Sequence, residues 1–122
     1  MDSLSPIRLE YENIEKESIK ILYLRGKITA LSGIELNKKL NKIFDDLNYK
    51  VIIDISNVEY MDSKGMAMLL TLAKTIEQNK GKLLLTRPSE FVKDLLDLTN
   101  LTSFFSIVND LSEARKKIVE EF

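Results

Sequence analysis

The sequence predicts an α/β domain: a mixed β-sheet of about five strands, with an N-terminal antiparallel hairpin and about four helices packed on it. Two short runs with alternating apolar residues open the chain, and β-branched runs then alternate with segments of helical apolar spacing. Strands separated by helices pair in parallel, which gives the sheet its mixed character. The 122 residues, 44% hydrophobic and 30% charged, suit one domain. We therefore expect a single domain over 1–122, with 1–6 as a flexible N-terminus.

The first two strands are predicted to form the hairpin. Ile7, Leu9 and Tyr11 alternate with charged residues, a period of two that is typical of a half-buried strand. A polar turn is predicted over residues 13–18. The second strand, residues 19–26, is more apolar on both faces and is predicted to end at its glycine.

The next three elements follow from a change of period. From residue 32 to Leu47, apolar residues recur at helical spacing and predict the first helix. Residues 51–55 are almost wholly apolar, as expected for a central strand that is covered on both faces. A loop is predicted over residues 56–62, and a second helix over 63–80 ends at Gly81, which its residue type predicts to be the C′ residue.

The last four elements repeat the alternation. Residues 82–87 predict a buried strand, and a third helix starts at Pro88 and Ser89. Its apolar residues form a stripe with two more beside it: Phe91, Leu95 and Leu98, then Val92 and Leu96. Residues 104–108 predict the last strand, and Asp110 with Glu113 fits a capping box at the start of the final helix.

Composition excludes several classes of active site. Cysteine and histidine are absent, which excludes disulfides, thiolate nucleophiles, a Ser-His-Asp triad and metal sites built from these residues. The net charge of −1 gives no global field to attract nucleic acid or an anionic membrane. Asp54 is predicted to be buried or cap-bonded rather than catalytic. We expect no enzyme activity, no cofactor and no metal.

Location is predicted from what the chain lacks. The N-terminus carries an acid where a secretory signal has a base, and no apolar run approaches the roughly 20 residues of a membrane helix. The sequence therefore predicts a cytoplasmic protein without membrane insertion and without direct nucleic-acid binding.

The most unusual loop follows the third strand, where Asp62 and Ser63 stand at the start of a helix and Gly65 follows. Asp and Ser are favoured N-caps, so a purely structural role explains this tetrapeptide when it is taken alone. Its position adds a functional interpretation, because a hydroxyl at a helix N-terminus is exposed beside N–H groups that can receive an anion. A phosphoryl group on Ser63 would be stabilised there, with Asp62 orienting the hydroxyl and Lys64 softening the added charge.

The run VIIDISNVEYMDSKG, from Val51 to Gly65, resembles the core motif of the STAS domains, the sulfate transporter and anti-sigma factor antagonist family. Residues 89–101 and 104–114 resemble that family's third helix and its ending. The similarity extends from about Ile7 to the C-terminus, and it implies a STAS-like fold.

The resemblance implies an anti-sigma factor antagonist of bacterial origin. In this family the unphosphorylated protein binds an anti-sigma factor that is also a serine kinase, and so releases the sigma factor. The kinase uses ATP and magnesium to phosphorylate the serine after the motif aspartate, which maps onto Ser63, and a PP2C-type phosphatase reverses the step. Asp62, Lys64 and Gly65 are the motif neighbours. The alternative is a STAS regulatory subunit of a membrane transporter or of a larger stress-signalling complex, in which Ser63 is only a cap.

Two departures from the family pattern concern the partner surface. Lys64 stands where a small or hydroxyl residue is usual, and Gly-Lys-Ile-Thr at 26–29 keeps the glycine of Gly-Glu-Leu-Asp but lacks both acids. The predicted partner contacts are Tyr60, Met61, Met68, Gly26 and Thr29. Core packing is predicted for at least two of the methionines Met61, Met66 and Met68. Asn100 replaces a common glycine and also tolerates the left-handed conformation.

Overall fold

The computed structural model describes residues 7–14, 19–43, 50–100 and 105–120. Along these residues strands and helices follow one another in this order: β1 (Ile7–Ile14), β2 (Ile19–Ile28), α1 (Ala30–Ile43), β3 (Lys50–Met61), α2 (Ser63–Gln78), β4 (Lys82–Thr86), α3 (Glu90–Leu98), β5 (Ser106–Val108) and α4 (Leu111–Glu120). The predicted α/β class, with its N-terminal hairpin, is confirmed. The predicted N-terminus 1–6, most of the first turn (15–18), Leu47 and Phe104 lie outside the described residues.

The sheet has the spatial order β1-β2-β3-β4-β5. β1 and β2 are antiparallel, from Ile7 opposite Gly26 to Ile14 opposite Ile19, and every later pair is parallel. Each crossover adds the next strand on the same side of the previous one. Since such crossovers are right-handed, α1, α2 and α3 lie on one face of the sheet. α4 follows the last strand and packs on the other face.

Side chains of β3 alternate between two hydrophobic clusters and so cover both faces of the sheet. Val51, Ile53 and Ile55 belong to the larger cluster, with buried residues of α1, α2 and α3. Ile52 belongs to the smaller cluster, with Ile118 of α4. The predicted central strand, buried on both faces, is confirmed. None of the helices in the described segments is long and apolar enough to cross a bilayer.

The predicted loop over 56–62 is wrong, because β3 continues to Met61 alongside β2, which itself continues past Gly26 to Ile28. Val58 and Met61 are buried, whereas the residues between them are exposed and polar, which explains why the sequence looked like a loop. The pairing of the two strands shifts register twice, the second time between Gly26 and Lys27. Gly26 has φ 108°, a conformation that a residue with a Cβ rarely adopts.

The end of α2 also differs from the prediction by one residue. Lys80, not Gly81, adopts the left-handed conformation, with φ 62°. The Gly81 N–H donates to the Ile76 carbonyl at 2.8 Å and the Lys80 N–H donates to the Glu77 carbonyl at 3.0 Å, which is a Schellman closure. At the end of α3, Asn100 has φ 58°, so its predicted left-handed conformation is confirmed.

α3 buries a narrower face than the apolar pattern suggested. Val92 and Leu96 are buried, but Phe91 is 44% exposed and Leu98 is 81% exposed. The helix has only nine residues and lies against β3, so it presents one side to the core. At α4, the Glu113 N–H donates to Asp110 Oδ1 at 2.8 Å, which confirms the predicted N-cap.

Candidate functional site

Ser63 is the first residue of α2, and it is exposed. The helix N-cap is Asp62, whose backbone is extended (φ −96°, ψ −179°). Its Oδ1 accepts a hydrogen bond from the backbone N–H of Gly65 at 2.9 Å, and its carbonyl accepts one from the N–H of Met66 at 3.0 Å. The carboxylate satisfies an N–H group that the first helical turn leaves without a backbone partner. Asp62 therefore caps α2, and Ser63 does not.

The second oxygen of the Asp62 carboxylate reaches a different helix. Oδ2 accepts a hydrogen bond from the backbone N–H of Ala30, the first residue of α1, at 3.3 Å. The Asp62 N–H in turn donates to the carbonyl of Ile28 at 3.1 Å. The N-termini of α1 and α2 thus meet at one negative charge, which is the position that both helix dipoles favour for an anion.

α1 has a cap of its own, built from two hydroxyl groups. The Ser32 N–H donates to Thr29 Oγ1 at 3.3 Å, and the Thr29 N–H donates to Ser32 Oγ at 2.8 Å. The Ser32 hydroxyl also donates to the Lys27 carbonyl at 2.7 Å. This arrangement is a capping box in which serine replaces the usual glutamate. Thr29, a predicted partner contact, is half-buried, and its hydroxyl belongs to this cap.

Only glycine fits at position 65, because any side chain there would collide with Ile28. A Cβ at this position would lie 2.3 Å from the carbonyl oxygen of Ile28 and 2.7 Å from its Cγ2. The first turn of α2 therefore contacts the end of β2 so closely that no side chain fits between them. The tight helix entry expected from the sequence has this close approach as its physical reason.

Two of the predicted contact residues, Tyr60 and Met68, and the motif neighbour Lys64 have exposed or half-buried side chains. Tyr60 is 42% exposed, and its ring packs against Phe91 with centroids 5.5 Å apart. Lys64 is exposed and directly follows Ser63. Met68 is half-buried, one turn further along α2, and packs against the larger cluster.

The prediction that Met61 contacts a partner is wrong. Met61 is only 2% exposed and packs in the larger cluster, as does Met66 at 4%, so neither offers a surface to a partner. Met61 is the last residue of β3, and it faces the same cluster as Val58, three residues earlier, because the register shift opposite Gly26 and Lys27 interrupts the alternation of the strand. The prediction that at least two of the three methionines pack in the core is confirmed. Gly26 is half-buried at the register shift of β2.

Asp54 forms an ion pair within β3, opposite Thr86, the last residue of β4. It is 3% exposed, and its Oδ2 lies 2.7 Å from Arg87 Nη2, while Oδ1 accepts the Ser56 N–H at 2.9 Å. Burial alone would raise the pKa of Asp54, but hydrogen bonds from Ser56 and Arg87 outweigh it and hold the pKa below its ordinary value. The predicted buried, hydrogen-bonded carboxylate is confirmed.

Among the described residues, no group of three or more acidic side chains could hold a metal ion. The chemical features at the start of α2 are an exposed hydroxyl, a neighbouring ammonium group and a carboxylate engaged by two helices. A family model described as the STAS domain matches residues 10–114 of this chain. The chain belongs to the STAS domain family. The site around Ser63 is therefore the start of the second helix of a STAS domain.

Relatives of this STAS domain bear related names. A Thermotoga neapolitana protein, provisionally named as an anti-sigma factor antagonist, is 30% identical over 102 residues, covering 80% of this chain and 88% of the relative. The anti-sigma-B factor antagonist of Staphylococcus epidermidis is 25% identical over 101 residues, covering 83% and 94%. The solved structure of the anti-sigma factor antagonist SpoIIAA in its unphosphorylated form is 18% identical, covers 94% and 98%, and superposes with a TM-score of 0.75. This last likeness shows the fold.

Sequence reasoning missed two participants near the start of α2. The contact of Ala30 with Asp62 uses a backbone N–H, which every residue except proline carries, so the residue type gives no signal. The sequence pattern places Phe91 in the apolar stripe of α3, whereas its ring packs against Tyr60. The sequence does carry a signal for the exposure of Phe91. Val92 and Leu96 form an apolar i, i+4 pair, and a helix of nine residues that buries this pair leaves a second apolar stripe partly exposed.

Proposed function

We propose that this STAS domain is an anti-sigma factor antagonist, and that phosphorylation of Ser63 switches off its binding to an anti-sigma factor. The observation that carries the proposal is the exposed hydroxyl at the first position of α2, beside a carboxylate that takes over the capping role. The names of the relatives support the general role. SpoIIAA, the structural neighbour, has also been solved in a phosphorylated form, with a TM-score of 0.68 to this chain.

In the unphosphorylated state, the anti-sigma factor contacts the surface around Ser63, which includes Tyr60, Lys64 and the exposed part of Met68. Asp62 holds the backbone of the first helical turn, so the hydroxyl is presented at a fixed place. Gly65 fixes the same turn against the end of β2. Because this surface is already ordered, little conformational entropy is lost when a partner binds.

Phosphorylation changes the charge of this surface. A phosphoserine carries about −1.5 to −2 charges at neutral pH, against a net charge of −1 for the whole chain. The N-terminus of α2 favours that charge in the free protein by about 0.3–1 kcal/mol. A bound partner would have to desolvate the same charge, at several kcal/mol. Affinity therefore falls while the fold remains stable.

The chain itself contributes an acceptor, not a catalyst. The anti-sigma factor acts as the serine kinase and supplies ATP and magnesium; its reaction transfers the γ-phosphoryl group to Ser63 Oγ, with ADP leaving and the hydroxyl proton released. A PP2C-type phosphatase hydrolyses the phosphoserine and restores the binding form. All of these steps take place in the cytoplasm.

The test uses the intact protein and the anti-sigma factors of its own cell. We expect one of them to bind the unphosphorylated protein and, with ATP and magnesium, to add a single phosphate, located at Ser63 by mass spectrometry. Ser63→Ala should bind and remain unmodified. Ser112→Ala is the matched control, because Ser112 is exposed in the first turn of α4, behind an Asp cap. Phosphate that persists in Ser63→Ala, or co-purification with transporter subunits instead, would overturn the proposal.

A further inference from the structure

A groove of about 600 Å³ runs between α1 and α2. Leu40 and Ile76, both almost fully buried, lie at its base. Ile34, Met68 and Leu72 form its apolar walls, and a polar edge follows along its length: Asn37, Thr71 and Thr75. This volume falls in the range of sites that accept several apolar side chains or a small ligand.

The apolar wall continues onto the outer surface of α1. Ile34 is 61% exposed and Leu31 is 76% exposed, three residues apart on one side of the helix. Large aliphatic side chains clustered on a surface mark an interaction site more often than isolated ones do. Leu31 follows Ala30, whose N–H binds the Asp62 carboxylate, so this end of the groove lies next to the start of α2 and to Ser63.

The charge of the groove is positive. Among the described residues that line it, Lys38 is the charged one. Lys64 shares a side of α2 with Met68, Thr71 and Thr75, at the spacing i, i+4, i+7 and i+11. Glu35, an acid on α1, pairs with Lys39 at 3.5 Å. A ligand in this groove thus meets apolar walls and the ammonium group of Lys38, and Lys64 lies one helical turn before the lining residue Met68.

We propose that the α1–α2 groove docks an amphipathic helix of the anti-sigma factor, with apolar side chains in the groove and acidic side chains towards Lys38 and Lys64. The inference rests on the proposed function and adds the location and chemistry of the partner segment. Charge complementarity selects an acidic segment, and an apolar groove between two helices accepts the apolar face of a third helix.

The same groove explains how a single phosphate on Ser63 lowers the affinity for the partner. Ser63 directly precedes Lys64, so a phosphoserine there offsets the ammonium charge and makes this end of the groove negative. An acidic helix is then repelled at the position where it was attracted. Lys64 is the specificity-determining residue for an acidic partner.

The test measures the affinity of the unphosphorylated protein for its anti-sigma factor by calorimetry. Lys38→Glu with Lys64→Glu should weaken binding by at least about tenfold, and should remove the decrease of affinity with salt. Ile34→Ser should weaken binding by a similar factor. The controls are Lys116→Glu and Val119→Ser, at exposed positions of α4 on the opposite face of the sheet. Thermal melting of each variant shows whether the fold is intact.

The outcomes separate this proposal from the proposed function. If the groove variants bind like the wild type while phosphorylation of Ser63 still abolishes binding, the groove proposal is wrong and the switch stands. If no anti-sigma factor binds the unphosphorylated wild type, both are wrong. If Ile34→Ser instead dissolves a homodimer that sedimentation detects, the groove is an interface between two copies of this chain, and the docking proposal fails.

Discussion

The carboxylate of Asp62 accepts a hydrogen bond from the backbone N–H of Ala30 across 32 residues of sequence, at 3.3 Å. Its other oxygen accepts the N–H of Gly65 at 2.9 Å. One side chain therefore caps α2 and also binds the first N–H of α1, and those two helices form the groove that lies beside the phosphorylation site proposed above. Loss of this carboxylate affects the stability of both N-termini and the relative position of α1 and α2.

Asp62→Ala should destabilise the protein more than the loss of an ordinary cap. We expect the free energy of unfolding to fall by about 2 kcal/mol, against about 1 kcal/mol for Asp110→Ala at α4, because a single cap contributes about 0.5–2 kcal/mol. Urea unfolding of both variants measures the difference. Equal losses in the two variants would show that the bond to Ala30 adds no stability.

Gly65→Ala should destabilise the protein by about 1–3 kcal/mol, as expected of an overpacked site, because the new Cβ would lie 2.3 Å from the Ile28 carbonyl oxygen. Gly33→Ala is the matched control. Its Cβ would lie 3.7 Å from Met68 Sδ, an ordinary contact, and alanine is the better helix former by about 0.5–1 kcal/mol. Thermal melting should therefore move in opposite directions for the two variants.

A negative charge at position 63 should leave the fold intact. Ser63→Asp should raise the free energy of unfolding by about 0.3–1 kcal/mol at low ionic strength, and Ser63→Lys should lower it by a similar amount, because the N-terminus of α2 favours an anion. Both differences should shrink at high salt. A cooperative loss of structure in Ser63→Asp would show that the switch acts by unfolding.

The Asp54–Arg87 ion pair should contribute to the stability of the fold as the pH is lowered. The pKa of Asp54 is lowered in the folded protein, so its contribution is present at neutral pH and is lost as the pH falls below the ordinary Asp value of about 3.9. Arg87→Met removes a partner that lies 2.7 Å away, and burial then raises the pKa of Asp54. We expect the acid unfolding midpoint, followed by circular dichroism, to move to higher pH.

Tyr23→Phe serves as the control for this experiment, because Tyr23 lies beside Asp54 in the sheet. Burial and a hydrogen bond to Glu12 raise the pKa of Tyr23 to about 12, so its phenol stays neutral throughout acid unfolding. The midpoint in Tyr23→Phe should move less than in Arg87→Met. An unchanged midpoint in Arg87→Met would contradict the role of the ion pair.

The order of elements could be predicted because periodicity encodes it directly. The alternation of Val51, Ile52 and Ile53 between two clusters, for example, requires helices on both faces of the sheet. The extension of β3 could not be predicted, since backbone pairing with β2 holds a segment whose exposed side chains are polar. Pairing partners are a property of the assembled sheet, and no local pattern reports them.

At the candidate site, residue types predicted the cap and the hydroxyl but not their surroundings. Asp62 and Ser63 were identified from their preference for helix starts, which is local chemistry. The contact with Ala30 and the close approach of Gly65 to Ile28 depend on where the end of β2 lies. The sequence predicts Met61 at the surface because it predicts a loop over 56–62, whereas β3 continues and Met61 packs in the core.

The parallel pairing of Ile28 with Met61 also determines when the proposed acceptor site forms. Parallel strands joined through a helix pair slowly, because a long stretch of chain must close first. Until that step, the peptide around Ser63 lacks the neighbouring helix start and the carbonyl that hold Asp62 in place. An enzyme that recognises the assembled site would therefore leave nascent or damaged molecules unmodified, and the signal would be carried by mature protein alone.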